Sequence, residues 1–167
     1  MRYAKIRLMD IANGPGIRVS IYFQGCSHHC KNCFNPETWP FDEGSELSEP
    51  EIKAIIDAAK EPFIKGLSIL GGEPFQQNHE DLAEFIQRFK WEVNKPIWIW
   101  TGYKFEDLVK HSFLRDKVLS EVITVVDGTF IDSLKDPNLK FRGSSNQRII
   151  DVQKSLKENK VITYSEY

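Results

Sequence analysis

The feature that most constrains the fold is a series of short apolar segments, each stopped by a glycine and separated from the next by a helical pattern. Four segments have the β-branched and aromatic composition of strands, at residues 18–23, 67–70, 97–100 and 122–126. Strands that alternate with crossover helices pair in parallel. The pattern therefore predicts an α/β fold with a mostly parallel sheet and crossover helices.

Helical patterns fill the intervals between these strands. Ser48 stands three residues before Glu51, which is the spacing of a capping box and predicts a helix start. The apolar positions at helical spacing are Ile52, Ile55, Ile56, Ala59, Leu82, Phe85, Ile86, Phe89, Phe105, Leu108 and Val109. After Ser133 the pattern weakens, because residues 149–152 fit either a strand or a helix.

The length of the chain limits how far such a sheet can close. With 167 residues, it falls short of the roughly 200 or more that a full eight-fold (β/α) barrel needs. We therefore expect one domain over residues 1–167, built as a partial (β/α) barrel or an open sheet. Ligand sites of parallel α/β folds gather at the carboxyl ends of the strands, so the motifs that follow the four strands should converge.

Charge and hydropathy argue against several classes of function. The 22 basic and 24 acidic residues leave a net charge of −2, with no block of like charge. Binding to nucleic acid or a membrane surface through bulk electrostatics therefore has little support. No segment approaches the roughly 20 apolar residues of a membrane span, and the N-terminus lacks the apolar block of a secretory signal. We expect a cytoplasmic protein with neither a nucleic-acid nor a membrane partner.

The three cysteines of the chain lie together, at Cys26, Cys30 and Cys33, with the spacing C-x3-C-x2-C. An odd and crowded set is a poor disulfide framework. Three thiolates on so short a loop suit a [4Fe–4S] cluster that keeps one iron open to another ligand. Spacing alone leaves open a Cys3His zinc site that uses His28 or His29, and also unligated thiols.

Several motifs resemble the radical S-adenosylmethionine superfamily. The cysteine motif after one strand and Gly-Gly-Glu-Pro at residues 71–74 after a later strand are similar to that superfamily, and Asn-Gly-Pro-Gly-Ile-Arg at residues 13–18 resembles its glycyl-radical-enzyme activases. Further segments resemble, more narrowly, the activating proteins of the anaerobic ribonucleoside-triphosphate reductase, at residues 33–39, 100–103, 126–128 and 142–148. The similarity runs in the family's order from about residue 10 to residue 152.

The resemblance implies a cofactor pair and a set of residues that hold it. Cys26, Cys30 and Cys33 would bind three irons of a [4Fe–4S] cluster, and S-adenosylmethionine would chelate the fourth. Reductive cleavage of S-adenosylmethionine would then give a 5′-deoxyadenosyl radical. The protein would be a radical oxidoreductase that binds and orients the cofactors, which supply the reaction chemistry. The residues implied to contact S-adenosylmethionine are Asn32, Cys33, Phe34, Gly71, Gly72 and Glu73.

The resemblance also implies the partners. The radical would take a Cα hydrogen from a glycine in the large subunit of the anaerobic reductase, and a one-electron donor such as flavodoxin would reduce the cluster.

Thr101 and Asp127 follow two strands and could add polar contacts. Arg142 and Arg148 could bind a carboxylate of the cofactor or of the partner, or form structural ion pairs.

Two other functions remain open at this point. Many relatives in the superfamily carry an aromatic residue directly before the third cysteine, where this chain has Asn32. That departure and the short chain argue against an activase of another glycyl radical enzyme, such as the formate-lyase type. A zinc-binding interaction domain would explain the cysteines but would leave residues 71–74 and 142–148 without a role.

Overall fold

A seven-stranded sheet forms the centre of the molecule, and the computed structural model describes the whole chain, residues 1–167. The strands are β1 (Arg2–Asp10), β2 (Ile17–Phe23), β3 (Ser45–Glu46), β4 (Ile64–Gly71), β5 (Ile97–Trp100), β6 (Thr124–Asp127) and β7 (Arg148–Asp151). The helices are α1 (Glu49–Ala59), α2 (His79–Glu92), α3 (Phe105–Lys110), α4 (Ser112–Lys117) and α5 (Val152–Glu158). Single turns of 3-10 helix lie at Pro36–Thr38, Pro74–Gln76, Leu119–Glu121 and Asp132–Leu134.

The sheet is open and its centre is parallel. The strand order is β3-β1-β2-β4-β5-β6-β7, in which β2, β4, β5 and β6 run parallel to one another. The outer strands β1, β3 and β7 are antiparallel to their neighbours. Along the chain, α1 lies between β2 and β4, α2 between β4 and β5, and α3 and α4 between β5 and β6. The predicted α/β class with a parallel centre and crossover helices is confirmed.

The two faces of the sheet carry different side chains, as the two-residue period of a strand requires. In β5, Ile97 and Ile99 belong to a core of 27 buried residues that the helices cover. Trp98 and Trp100 point to the other face, where Trp98 packs with Val126 in a smaller cluster. Because β5 is apolar on both faces, it appears in the sequence as a continuous apolar run.

A buried cation links the parallel strands on the face away from the large core. Arg18 in β2 is 1% exposed, and its guanidinium donates to Ser68 Oγ at 2.7 Å and to the carbonyl oxygens of Leu67 and Pro96 at 2.9 and 3.0 Å. Burial lowers the pKa of Arg18 to about 10, so the group stays charged at neutral pH. These bonds hold β2 against β4 and against the residue that leads into β5.

The structure adjusts several element boundaries. The strand predicted at residues 122–126 is β6, which begins at Thr124. The ambiguous segment at residues 149–152 is a strand followed by a helix, because β7 ends at Asp151 and α5 starts at the next residue. Strands β1 and β3 were not predicted, although residues 4–8 of β1 alternate between apolar and polar side chains. None of the helices has the length and hydropathy that a bilayer crossing requires.

Candidate functional site

A cavity of about 480 Å³ lies at the carboxyl ends of the four parallel strands. Its walls include the residues that follow each of them: Cys26 after β2, Gly72 and Glu73 after β4, Thr101 and Gly102 after β5, and Gly128 after β6. The expectation that the strand-end motifs converge is confirmed. The cavity is therefore the place in this fold where several separate motifs can act on one ligand.

The cysteine loop is closed by backbone hydrogen bonds at its base. The Gly25 N–H donates to the Thr38 carbonyl at 2.7 Å, and the Cys26 N–H donates to the Trp39 carbonyl at 3.1 Å. Gly25 has a φ of +108°, and a Cβ at this position would lie 2.3 Å from the Phe41 ring. Only glycine fits that turn, so Gly25 sets the direction in which the loop leaves β2.

All three thiols are free and line the same cavity. Cys26 is buried, whereas Cys30 and Cys33 are partly exposed. Across the whole chain, no group of three or more His, Cys, Asp or Glu side chains lies close enough to hold one metal ion. In an iron–sulfur cluster each thiolate binds a different iron, so three thiols that line one cavity can serve as its ligands.

Burial and backbone donors act in opposite directions on the sulfur atoms. Burial raises the pKa of the Cys26 and Cys30 thiols, while backbone N–H groups, of His28 toward Cys26 and of Phe130 toward Cys30, favour the thiolates. The Asn35 N–H lies 3.4 Å from Cys33 Sγ and donates to it. Such donors around the sulfur atoms are the contacts that tune an iron–sulfur centre, and iron binding displaces the thiol protons.

Glu73 is the polar centre beneath the cavity. Its carboxylate is fully buried, and Oε1 accepts from the Phe75 N–H at 3.0 Å and the Thr101 hydroxyl at 2.8 Å. The other oxygen, Oε2, accepts from the Gly102 N–H at 2.8 Å and lies 2.9 Å from His28 Nε2. Glu73 thus joins the end of β4 to the end of β5 and to the cysteine loop.

Neither histidine of the cysteine loop is placed with the thiols as a fourth ligand. Nε2 of His28 is engaged by Glu73, and the His28 ring packs edge-on against Tyr103 at 4.8 Å between centroids. The ring of His29 stacks on Trp39 at 4.5 Å. The arrangement does not form the Cys3His zinc site that the spacing had left open.

The residues around the third cysteine point in different directions. Phe34 lines the cavity, although it is 59% exposed, and packs against Phe130 at 4.9 Å between ring centroids. Asn32 has a φ of +56° and does not line the cavity. Its side-chain amide donates instead to Asp132 at 2.9 Å, which ties the cysteine loop to the segment that follows β6.

Three of the four polar residues with open roles make structural contacts. Thr101 reaches the site through its bond to Glu73. Asp127 is buried outside the cavity lining, where it accepts from the Phe105 N–H at 2.8 Å and from the Arg148 guanidinium at 2.5 and 2.9 Å. Arg148 also pairs with Glu106, so of its two suggested roles the structure supports structural ion pairs. Arg142, in contrast, lines the cavity.

Sequence reasoning missed part of the cavity wall, most clearly Phe130 and Gln147. Phe130 follows β6 and carries no local signal that separates it from a core aromatic residue. Gln147 lies within the 142–148 motif, and its side chain accepts from the N–H groups of Gly143 and Ser144. The polar density of that motif was the only available signal for it.

Comparison with known proteins defines the class of this chain. Residues 12–150 match the model of a family described as "4Fe-4S single cluster domain". That range contains all three cysteines and every strand from β2 to β6. The chain is therefore a member of this class of cluster-binding domains.

The curated relatives narrow the family further. Over 151 residues, 88% of this chain, it is 38% identical to the anaerobic ribonucleoside-triphosphate reductase-activating protein of Escherichia coli (strain K12), of which 96% is covered. The proteins of the same name from Haemophilus influenzae and Enterobacteria phage T4 are 39% and 35% identical, each over 89% of this chain and over 97% and 93% of their own lengths. The chain belongs to the family of anaerobic ribonucleoside-triphosphate reductase-activating proteins.

Proposed function

We propose that this protein is a radical S-adenosylmethionine enzyme that activates an anaerobic ribonucleoside-triphosphate reductase. One electron from a [4Fe–4S] cluster breaks the S–C5′ bond of S-adenosylmethionine and yields methionine and a 5′-deoxyadenosyl radical. The radical takes a Cα hydrogen atom from a glycine of the large reductase subunit, which leaves 5′-deoxyadenosine and a glycyl radical. An oxidoreductase of this kind needs no general acid or base, because a hydrogen atom moves between two carbons.

One observation carries the proposal: three free thiols on a single closed loop line the same cavity as the Gly71-Gly72-Glu73 segment. The family description of a 4Fe-4S cluster domain supports the metal. The printed name of the relatives supports the target, since they are called activating proteins of the anaerobic reductase. We assign Cys26, Cys30 and Cys33 as the three cluster ligands.

The polar and apolar parts of the cavity suit the two ends of S-adenosylmethionine. Gly71 and Gly72 offer partly exposed backbone to the cavity at the end of β4, and a Cβ on Gly72 would lie 2.5 Å from the Gly25 carbonyl oxygen. We propose that this segment holds the methionyl amino group through backbone carbonyls. The carboxylate of Glu73 already has four neighbours, so in this proposal it positions the segment.

The aromatic side of the cavity suits the adenine. Phe34 and Phe130 pack together at the cavity wall, and Gly143 leaves room for both, since a Cβ there would lie 2.7 Å from the Phe34 ring. We propose that Phe34 and the backbone of Cys33 bound the adenine. The predicted contact of Asn32 remains a proposal only, since its side chain is bound to Asp132 and the residue does not line the cavity.

Several broader expectations complete the proposal. The open sheet would be the partial (β/α) barrel of the radical S-adenosylmethionine fold, in a single domain over residues 1–167. Its open side admits a glycine loop of the large subunit. A one-electron donor such as flavodoxin would reduce the cluster in the cytoplasm, under anaerobic conditions.

The test is anaerobic reconstitution with iron and sulfide, followed by dithionite and S-adenosylmethionine and an assay for 5′-deoxyadenosine. We expect a brown protein with about four irons, formation of 5′-deoxyadenosine, and a glycyl radical by electron paramagnetic resonance once the large subunit is added. Cys30→Ala should lose cluster and product while the thermal unfolding of the apoprotein is unchanged. Lys31→Ala, exposed in the same loop, is the matched control.

Other outcomes would point to the other functions. Stoichiometric zinc without iron uptake would overturn the proposal in favour of a binding domain. Formation of 5′-deoxyadenosine with a glycyl radical only on a formate-lyase type of partner would keep the chemistry and change the target. Full product formation by Cys30→Ala would refute the ligand assignment.

A further inference from the structure

Two cations in the wall of the cavity, Arg7 and Arg142, form no ion pair, and only Arg142 is partly buried. Among the cavity residues, Arg7, Glu73 and Arg142 carry the formal charges. Glu73 is already surrounded by donors. The Arg142 guanidinium makes a single hydrogen bond, from one terminal nitrogen to the Gln147 carbonyl at 2.6 Å, and forms no ion pair. Its Nε is buried without a partner.

Unpaired donors of this kind are uncommon in native proteins. Buried polar groups are almost always hydrogen-bonded, and an exception needs a strain, a ligand or a missing solvent molecule to explain it. An arginine is a costly group to leave unpaired, because its five N–H donors carry a full charge. A ligand anion in the cavity would supply the partner that the protein itself does not provide.

Arg148, six residues further on, shows the contrasting case. Its guanidinium is bound by the carboxylates of Asp127 and Glu106, with nitrogen–oxygen distances of 2.5 to 3.0 Å. The same segment therefore carries one arginine with two carboxylate partners and one, Arg142, with none. Arg7 differs from both, because it is exposed on β1 and lies over the Tyr22 ring at 5.6 Å.

The segment that carries Arg142 is held rigidly. The Gln147 side chain accepts from the Gly143 N–H at 2.8 Å and donates to the Gly128 carbonyl at 2.9 Å. The Trp100 indole N–H donates to the Phe141 carbonyl at 2.7 Å. These bonds flank Arg142 on both sides, so the side chain extends from a fixed backbone and little ordering is needed when a ligand binds.

We propose that Arg142 binds the methionyl carboxylate of S-adenosylmethionine, an inference that rests on the function proposed above. The carboxylate is the only anionic group of that molecule, since its sulfonium is a cation and its adenine is neutral. A planar guanidinium matches a carboxylate in a two-bond arrangement. In this proposal Arg142 is a binding residue for the methionyl end of the cofactor.

The experiment compares two ligands on four proteins. The proteins are the reconstituted wild type, Arg142→Met, Arg142→Lys and the control Lys140→Met, whose exposed side chain lies outside the cavity lining. The ligands are S-adenosylmethionine and its decarboxylated analogue, and the dissociation constants are measured anaerobically by calorimetry without reductant. Iron content and thermal unfolding show whether each variant is folded and loaded.

We expect Arg142→Met to weaken S-adenosylmethionine binding about tenfold to hundredfold, which is the scale of one charge-assisted interaction. Its binding of the decarboxylated analogue should stay within about twofold of wild type on the same scale. Arg142→Lys should recover part of the lost affinity, because lysine keeps the positive charge but lacks the planar guanidinium that makes two parallel hydrogen bonds. Lys140→Met should bind both ligands as the wild type does.

Three results would overturn the inference. Equal loss for both ligands would make Arg142 a structural residue. Unchanged S-adenosylmethionine binding with weaker binding of the large reductase subunit would assign the carboxylate to the protein partner. If the wild-type protein with its cluster binds no S-adenosylmethionine, the proposed function itself is overturned. That failure shows in the wild type, whereas failure of the Arg142 inference shows only in the variants.

Discussion

Replacing Glu73 by Gln is the sharpest test of how the site is held together. Each oxygen of this carboxylate faces one donor that can adapt and one that cannot. Oε1 faces the Thr101 hydroxyl and the Phe75 N–H, and Oε2 faces His28 and the Gly102 N–H. Hydroxyl and imidazole protons can rearrange, but backbone N–H groups cannot.

The geometry leads to a definite cost. Whichever way the Gln amide turns, its NH2 group meets one backbone N–H and leaves that donor buried without an acceptor. An unsatisfied buried group costs about 1–3 kcal/mol, and the lost charge on the remaining bonds adds to it. We expect Glu73→Gln to lower the free energy of unfolding by about 2–3 kcal/mol, which for a chain of this size is a fall of roughly 4–12 °C in Tm.

The assay is thermal and urea unfolding of the apoprotein under anaerobic conditions, followed by circular dichroism. Glu37→Gln is the matched control, because Glu37 is exposed close to the same loop and its side chain makes no hydrogen bond. We expect that control to unfold within about 0.5 kcal/mol of wild type. A Glu73→Gln variant as stable as the control would refute the argument that two backbone N–H donors depend on this carboxylate.

Two further predictions test other parts of the structure. Gly71→Ala should cost more than about 2 kcal/mol in urea unfolding, since φ is +133° and the new Cβ would lie 2.3 Å from the Phe23 backbone. Gly128→Ala, with φ of +98° but no atom closer than 3.6 Å, should cost only about 1 kcal/mol, and equal costs would contradict the collision argument. Arg148 lowers the pKa of Glu106 from 4.5 to about 2, so their pair stabilises the fold above pH 4.5 and is lost as the pH falls toward 2. Glu106→Gln should therefore unfold more easily than wild type at pH 7, with a gap that narrows below pH 4.5; a gap independent of pH would contradict this assignment.

The parts of the fold that sequence could predict are those in which the local pattern and the tertiary environment agree. Strands such as β5 are apolar on both faces, and the glycines that end them mark the carboxyl edge where the cavity lies. Strand β1 was missed although its pattern was present, because Ile6 alternates with Lys5 and Arg7 as in a strand with one solvated face.

The candidate site shows the same division. The cysteine spacing and the Gly-Gly-Glu-Pro segment are contiguous in the sequence, so their chemistry could be inferred before their meeting in space was known. The role of Glu73 as acceptor for donors from three separate segments could not, because Thr101 and His28 are distant from it in sequence. The path of the segment between β6 and β7 likewise decides which arginine is paired. It brings Arg148 to Asp127 and leaves Arg142 without an ion pair.

The closed base of the cysteine loop has a consequence for how a cluster can come and go. Because Gly25 and Cys26 are bonded to Thr38 and Trp39, the loop is a macrocycle whose ring is completed by hydrogen bonds rather than by the metal. None of the three cysteines belongs to the large core, so we expect the chain to fold and to form these hydrogen bonds before any iron is bound. The entropy of closing the ring is already lost at that stage. We therefore expect that a cluster lost from this loop can be rebuilt on the folded chain, without passage through the unfolded state.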